Sequence, residues 1–232
     1  MTGVRSAPPA LIAVAHGTRC ATGQAQVRRL VTALRERRPE LRVEVAYLDI
    51  ERPGLRSVAT RLDGSAVAVP LLFAAGYHVR SDIPAALHGT PVIAAPPMGP
   101  DPALTSALVS RLRQAGPLPD AVVLAAAGSS DPRAQADVRV VARDLAAAIG
   151  RPVRAGYASA AQPRVGQAVA ELREAGARRI GIAAMLLADG HFYRSLYAAG
   201  ADTVSRPLGT TMIDLILSRY SHTARRPLLQ AS

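Results

Sequence analysis

"LIAVAHGTR" (residues 11–19) runs five apolar residues straight into a histidine, a glycine, a hydroxyl and an arginine. A continuous apolar run of this length reads as a strand buried on both faces, as in a parallel sheet covered by helices. The stretch returns as "LAAAGSSDP" (124–132), with Gly17 over Gly128. "VEVAYLDIERP" (43–53) lies over "VRAGYASAAQP" (153–163), with Tyr47 over Tyr157 and Pro53 over Pro163. "PLLFAAGYHVR" (70–80) lies over "AAMLLADGHFY" (183–193), with His78 over His191. The spacing drifts only from 110 to 113 residues, so the chain reads as a tandem repeat.

Helical patterns fill the gaps between these strands. Val27, Leu30, Val31 and Leu34 share one face of a helix over 24–37, and Pro53 opens a helix over 53–62. After a strand over 66–73 come a short helix near 81–88, a strand over 91–95 and a helix over 102–114. "AGPLPD" (115–120) breaks both periodicities and reads as a linker. Beyond it, strands over 121–127, 152–158 and 179–187 alternate with helices ending near Ile149, over 163–175 and near 210–220. The expected fold class is α/β, with two tandem domains over 11–116 and 120–222. Each is a parallel sheet of about four strands flanked by helices, and the active cleft lies between them. Residues 1–10 and 223–232 read as flexible ends.

The 28 basic residues are all arginine and stand against 17 acids, a net charge of +11. Such a charge invites nucleic acid, but the arginines are scattered and no nucleic-acid motif is visible. An anionic small molecule fits better, because guanidinium forks match carboxylates. The single cysteine, Cys20, excludes an internal disulfide and fits a reducing compartment. "MTGVRSAPPA" has no apolar core of a signal peptide, and no apolar stretch is long enough to span a bilayer. The expectation is a cytoplasmic protein.

In open parallel sheets, ligands bind beyond the carboxyl ends of the strands. His16 ends the first strand, His78 follows the third, and Asp49 lies near the end of the second, which reads as a strand over 43–50, all at one sheet edge. Two imidazoles and a carboxylate there can hold a divalent metal with open positions, and can accept protons near neutral pH. Gly17 lets the chain swing away and leaves room for something bulky.

"VAHGTR", "AYLDIERP" and "PLLFAAGYHVRSDIP" resemble, in order and spacing, the motifs of the class II chelatases that metallate sirohydrochlorin, the CbiX/SirB family. The resemblance covers most of residues 11–115 and, more loosely, the second half. It implies that His16 and His78 handle the metal and accept protons, with Asp49 where the family usually carries glutamate. Arg19, Arg80, Gly17, Gly76, Arg194 and His191 are the implied substrate contacts. The implied substrates are an anionic tetrapyrrole with eight carboxylates and Fe²⁺ or Co²⁺, with no permanently bound cofactor. No phosphate-binding loop is present, so ATP is not expected. In the second half Ala127 lies opposite His16 and Ser159 opposite Asp49, so that half reads as a degenerate wall of the cleft and the protein as a monomer. The leading function is Fe²⁺ insertion. Co²⁺ insertion at the same site is the alternative, a non-catalytic metal or tetrapyrrole carrier is more remote, and nucleic-acid binding is the weakest. Cys20 reads as a lone buried thiol in preference to a thiolate ligand, and His88 and His222 as surface or helix-end residues.

Overall fold

The computed structural model describes residues 8–225. Strands β1 (Ala10–Ala15), β2 (Val43–Tyr47), β3 (Ala66–Pro70) and β4 (Val92–Ala94) form one sheet in the order β2-β1-β3-β4. Strands β5 (Ala121–Ala126), β6 (Val153–Tyr157), β7 (Ile180–Met185) and β8 (Thr203–Val204) form a second, in the order β6-β5-β7-β8. Every pairing is parallel. The helices are α1 (Ala21–Arg37), α2 (Leu55–Arg61), α3 (Ile83–Leu87), α4 (Pro102–Gln114), α5 (Pro132–Ile149), α6 (Val165–Glu174), α7 (His191–Ser195) and α8 (Ile213–Ala224). No helix among the described residues is long and apolar enough to cross a membrane.

Several boundaries move for local reasons. β2 stops at Tyr47, short of the expected 50, because Ile50 turns left-handed at φ +63°. β3 stops at Pro70, which has no N–H to continue a ladder. α8 runs to Ala224 with Thr223 buried, so the expected tail at 223 begins later. Ala10 opens β1, and the rest of the expected flexible ends, residues 1–7 and 226–232, lies outside the described residues.

The register of the repeat is shifted at the third strand. Ala10 pairs with Ala66 in the first sheet and Ala121 with Ile180 in the second. The third strands therefore stand 114 residues apart where the first strands stand 111 apart. This corrects the alignment of His191 with His78: Phe192 is the counterpart of His78, and Tyr77 that of His191.

The outer face of each sheet is covered by its own helices, α2 and α3 on the first, α6 and α7 on the second. The inner faces share one core, and there the helices cross over. α8, from the second half, packs on β3 and α1, while α4, from the first half, packs on β7 and α5. Each crossed helix is tied to its host sheet by an arginine. Arg111 in α4 donates to the Leu208 carbonyl at 2.9 Å, and Arg219 in α8 donates to the Pro97 carbonyl at 3.0 Å. The Tyr220 hydroxyl also donates to the carbonyl of Pro9, just before β1.

The linker at 115–120 divides the sequence repeat, but neither half carries all of its own core. Burial of Leu215, Ile216, Leu217 and Tyr220 of α8 contributes about 1.5–3 kcal/mol each. That sum rivals the roughly 5–15 kcal/mol net stability of a whole domain. Residues 1–117 produced alone should therefore bind a hydrophobic dye and unfold without a sharp transition. Co-production with residues 118–232 should restore one cooperative denaturation curve, whereas an independently cooperative 1–117 fragment would contradict the exchange.

Candidate functional site

The carboxyl edge of the first sheet is organised around its glycine. Gly17 holds φ +98°, and a Cβ there would overlap the Asp49 carbonyl oxygen. The room expected for a ligand is thus occupied by the loop after β2. The Asp49 N–H donates to the His16 carbonyl at 3.0 Å, and Leu48 N–H to that of Ala15 at 3.0 Å. The Glu51 carboxylate accepts from the Thr18 N–H at 2.9 Å. It also lies beside Tyr47, whose phenol is pushed up by burial and then by that charge. The turn carrying His16 is therefore clamped from the β2 side.

His78 is carried differently from the expected loop. Residues His78–Asp82 form one π-helical turn leading into α3, a local geometry frequent at functional sites. The turn puts His78 and Asp82 on one face, with Nδ1 and Oδ2 at 2.5 Å. The His78 Nε2 lies 3.1 Å from the Nε2 of His16, with the rings edge to face at 4.7 Å. Asp82 accepts the proton of His78 at Nδ1, which leaves Nε2 of the neutral ring as a lone pair. The two Nε2 atoms face one another and can share a single proton, or give up their lone pairs to one metal ion.

The structure thus brings His16 and His78 together, and it adds Asp82, which sequence reasoning left without a role. The i, i+4 spacing of "HVRSD" was the available signal. Asp49 is exposed, and its carboxylate accepts from the adjacent Ile50 N–H at 2.7 Å. Among the described residues no three His, Cys, Asp or Glu side chains form a metal-binding group. The pair is a two-imidazole site, open to further ligands, with a carboxylate behind it.

The second sheet supplies the facing wall. A Cβ on Gly76 would lie 3.2 Å from the Ser129 hydroxyl, and one on Gly190 would lie 3.4 Å from that of Thr18. Gln26 of α1 accepts from the Asp189 N–H at 2.7 Å, and Asp137 of α5 accepts from the Ala75 N–H at 2.9 Å. The strand-end loops of each sheet therefore meet those of the other. Arg19 and Arg80 are exposed on this edge. Arg194 pairs with Asp189 at 2.9 Å in an exposed contact, of the kind that holds weakly in water. His191 is exposed at the start of α7, its ring 5.9 Å from Phe192. Cys20, half-buried, precedes α1, and His88 and His222 are exposed. The hollow of about 510 Å³ lined by Thr105, Ser106 and Arg113 lies elsewhere and contains no imidazole.

The CbiX family model matches residues 10–115 and again 121–222. The solved structure of SirB from Bacillus subtilis with Fe³⁺ superposes with a TM-score of 0.75 at 23% identity, covering 96% of this chain and 98% of that one. The sirohydrochlorin chelatase SirB from Bacillus subtilis subspecies spizizenii in complex with cobalt gives 0.75 at 21%, with the same coverage. A sirohydrochlorin cobaltochelatase of Sulfurisphaera tokodaii is 33% identical over 79 residues, 31% of this chain and 66% of that protein. The two structural likenesses are of fold.

Replacing Asp82 with Asn keeps the side-chain shape and removes the charge behind His78. Co²⁺ affinity, followed by its visible absorption, should fall about 10–100-fold with melting temperature nearly unchanged. His78→Ala should abolish the high-affinity phase.

Proposed function

The chain belongs to the CbiX family, and we propose that it is a sirohydrochlorin ferrochelatase, seating Fe²⁺ in the macrocycle without ATP or a resident cofactor. The observation that carries this reading is the 3.1 Å contact between the His16 and His78 Nε2 atoms at an open sheet edge. In it the ferrous ion is a substrate, held between the two imidazoles with its other positions open to water and then to the pyrrole nitrogens. Insertion breaks two pyrrole N–H bonds and forms the metal–nitrogen bonds, releasing two protons with no change in oxidation state. The imidazoles vacated by the ion are the bases placed to receive those protons. Asp82, bonded to Nδ1, holds the His78 ring with its Nε2 turned toward His16. Arg19, Arg80 and, once released from Asp189, Arg194 meet the peripheral carboxylates.

The second half has Ala127, Ser159 and Phe192 where the first has His16, Asp49 and His78. It acts as the wall of a monomer, standing where a second copy would otherwise stand. The reaction belongs in a reducing cytoplasm, where ferrous ion persists. Cobalt is the second reading, favoured by the name of the Sulfurisphaera tokodaii relative, since imidazole ligands discriminate weakly between Fe²⁺ and Co²⁺.

Anaerobic incubation with sirohydrochlorin and each metal, followed by visible absorption, tests this directly. Wild type should accelerate Fe²⁺ insertion, and His78→Ala should slow it by about 10²–10⁴-fold, as for loss of a positioned proton acceptor. His191→Ala should have a far smaller effect, because it removes an exposed ring without a partner imidazole. Faster cobalt insertion would reassign the metal. Binding of metal and macrocycle without turnover would make the protein a carrier, and comparable losses in the two variants would overturn the passive-wall assignment.

A further inference from the structure

The described residues leave five large apolar side chains well exposed: Ile50 (47%), Tyr77 (66%), Ile93, Phe192 (39%) and Tyr197 (65%). Ile50 and Tyr77 lie in the loops after β2 and β3, on the edge that carries the imidazoles, Phe192 lies at the start of α7, and Ile93 is in the short edge strand β4. In a chain with two phenylalanines, six tyrosines and no tryptophan, the ring of Tyr77 has been placed in water beside one of the two imidazoles. Isolated exposed apolar residues are ordinary, but a group at one functional edge marks a contact surface.

Ile50 is the sharper case. Its φ of +63° is a conformation that glycine or asparagine adopts readily and a β-branched residue rarely does. Its side chain is in solvent, so neither the backbone nor the core calls for isoleucine. Ala160, its counterpart in the second half, takes the same twist at φ +54°. The turn therefore forms without a large side chain. The half that keeps one is the half that carries the two imidazoles. Both neighbours of Ile50 are bonded to the His16 turn, Asp49 through its N–H and Glu51 through its carboxylate. Tyr77 adjoins His78, its ring 6.3 Å away and steeply inclined. His78 thus has an exposed apolar neighbour on its own loop, and the His16 turn is bonded to the loop that carries the other.

We propose that Ile50 and Tyr77 form an apolar platform that takes the flat conjugated face of the macrocycle and positions its ring nitrogens over the His16–His78 pair. This rests on the chelatase reading above. A tetrapyrrole bounded by carboxylates is an apolar plate with an anionic rim, and the edge presents apolar side chains beside the imidazoles with Arg19 and Arg80 on the same loops. Ile50 and Tyr77 are positioning residues: they hold substrate, while the imidazoles bind metal and move protons.

Ile50→Gly separates this role from a structural one, because it releases the left-handed strain while deleting the contact. The melting temperature should stay level or rise, and Co²⁺ binding to the imidazole pair should stay within about twofold. Affinity for metal-free sirohydrochlorin, read from quenching of its fluorescence, should fall about tenfold, the value of one buried aliphatic contact. KM should rise in parallel with kcat little changed. Tyr77→Ala should behave likewise, and Tyr77→Phe should retain near-normal affinity. Unchanged affinity and KM in Ile50→Gly, with an active wild type, would overturn the platform while leaving the chelatase reading intact. A wild-type dimer that both variants dissociate would overturn it too, assigning the surface to self-association. A wild type that neither binds nor metallates sirohydrochlorin would remove both.

Discussion

Two imidazole nitrogens 3.1 Å apart are a constraint that the rest of the molecule is arranged to meet. At that separation the two Nε2 atoms stand within hydrogen-bond reach of one another, with room between them for one proton or one ion and not for two. In the proposed reaction that pair takes up a divalent ion and gives it up when the pyrrole nitrogens arrive. Holding it requires two independent supports. The strand β1 delivers His16 rigidly, since all six of its residues are buried. The π turn delivers His78 with its own carboxylate, Asp82.

The supports are themselves products of a duplicated fold. Gly17 and Gly128 both hold left-handed φ values, and a Cβ on either would overlap a carbonyl, that of Asp49 or Ser159. Thr18 and Ser129 both accept from the N–H two residues on, and Gln24 and Gln135 both donate to the carbonyls of those residues. The backbone hydrogen bonding of the edge is therefore present twice, whereas the imidazole pair is present once. Glu51, which clamps the Thr18 N–H, has Ala161 as its counterpart, and the second half has no such clamp. The exchanged helices α4 and α8 bind the halves together, so the half without the imidazole pair completes the core of the half that has it.

The strands, the long helices and the repeat were legible because fully apolar runs and i, i+3, i+4 spacings leave few alternatives over such lengths. His16 and His78 were legible as a pair because parallel topology puts strand ends on one edge. The helix exchange was not, since the apolar face of α8 reads identically whichever sheet it covers. The two-residue strand β8 and the five-residue α7 are too short for any periodicity. The third-strand register was misread because histidine lay over histidine in the sequence, whereas the ladder pairs Ala121 with Ile180. Asp82 and Ile50 were quoted inside motifs without a role. The first acts only through a turn that spacing alone does not reveal, and the second declares itself through a backbone angle.

X-ray absorption at the cobalt edge of the Co²⁺-loaded protein addresses the central claim, that one ion is held by His16 and His78 together. The account predicts two imidazole nitrogens at roughly 2.0–2.1 Å, oxygen ligands in the remaining positions, and the loss of one imidazole shell in either His16→Ala or His78→Ala. A sulfur ligand from Cys20, or an imidazole signal unchanged in both variants, would contradict it.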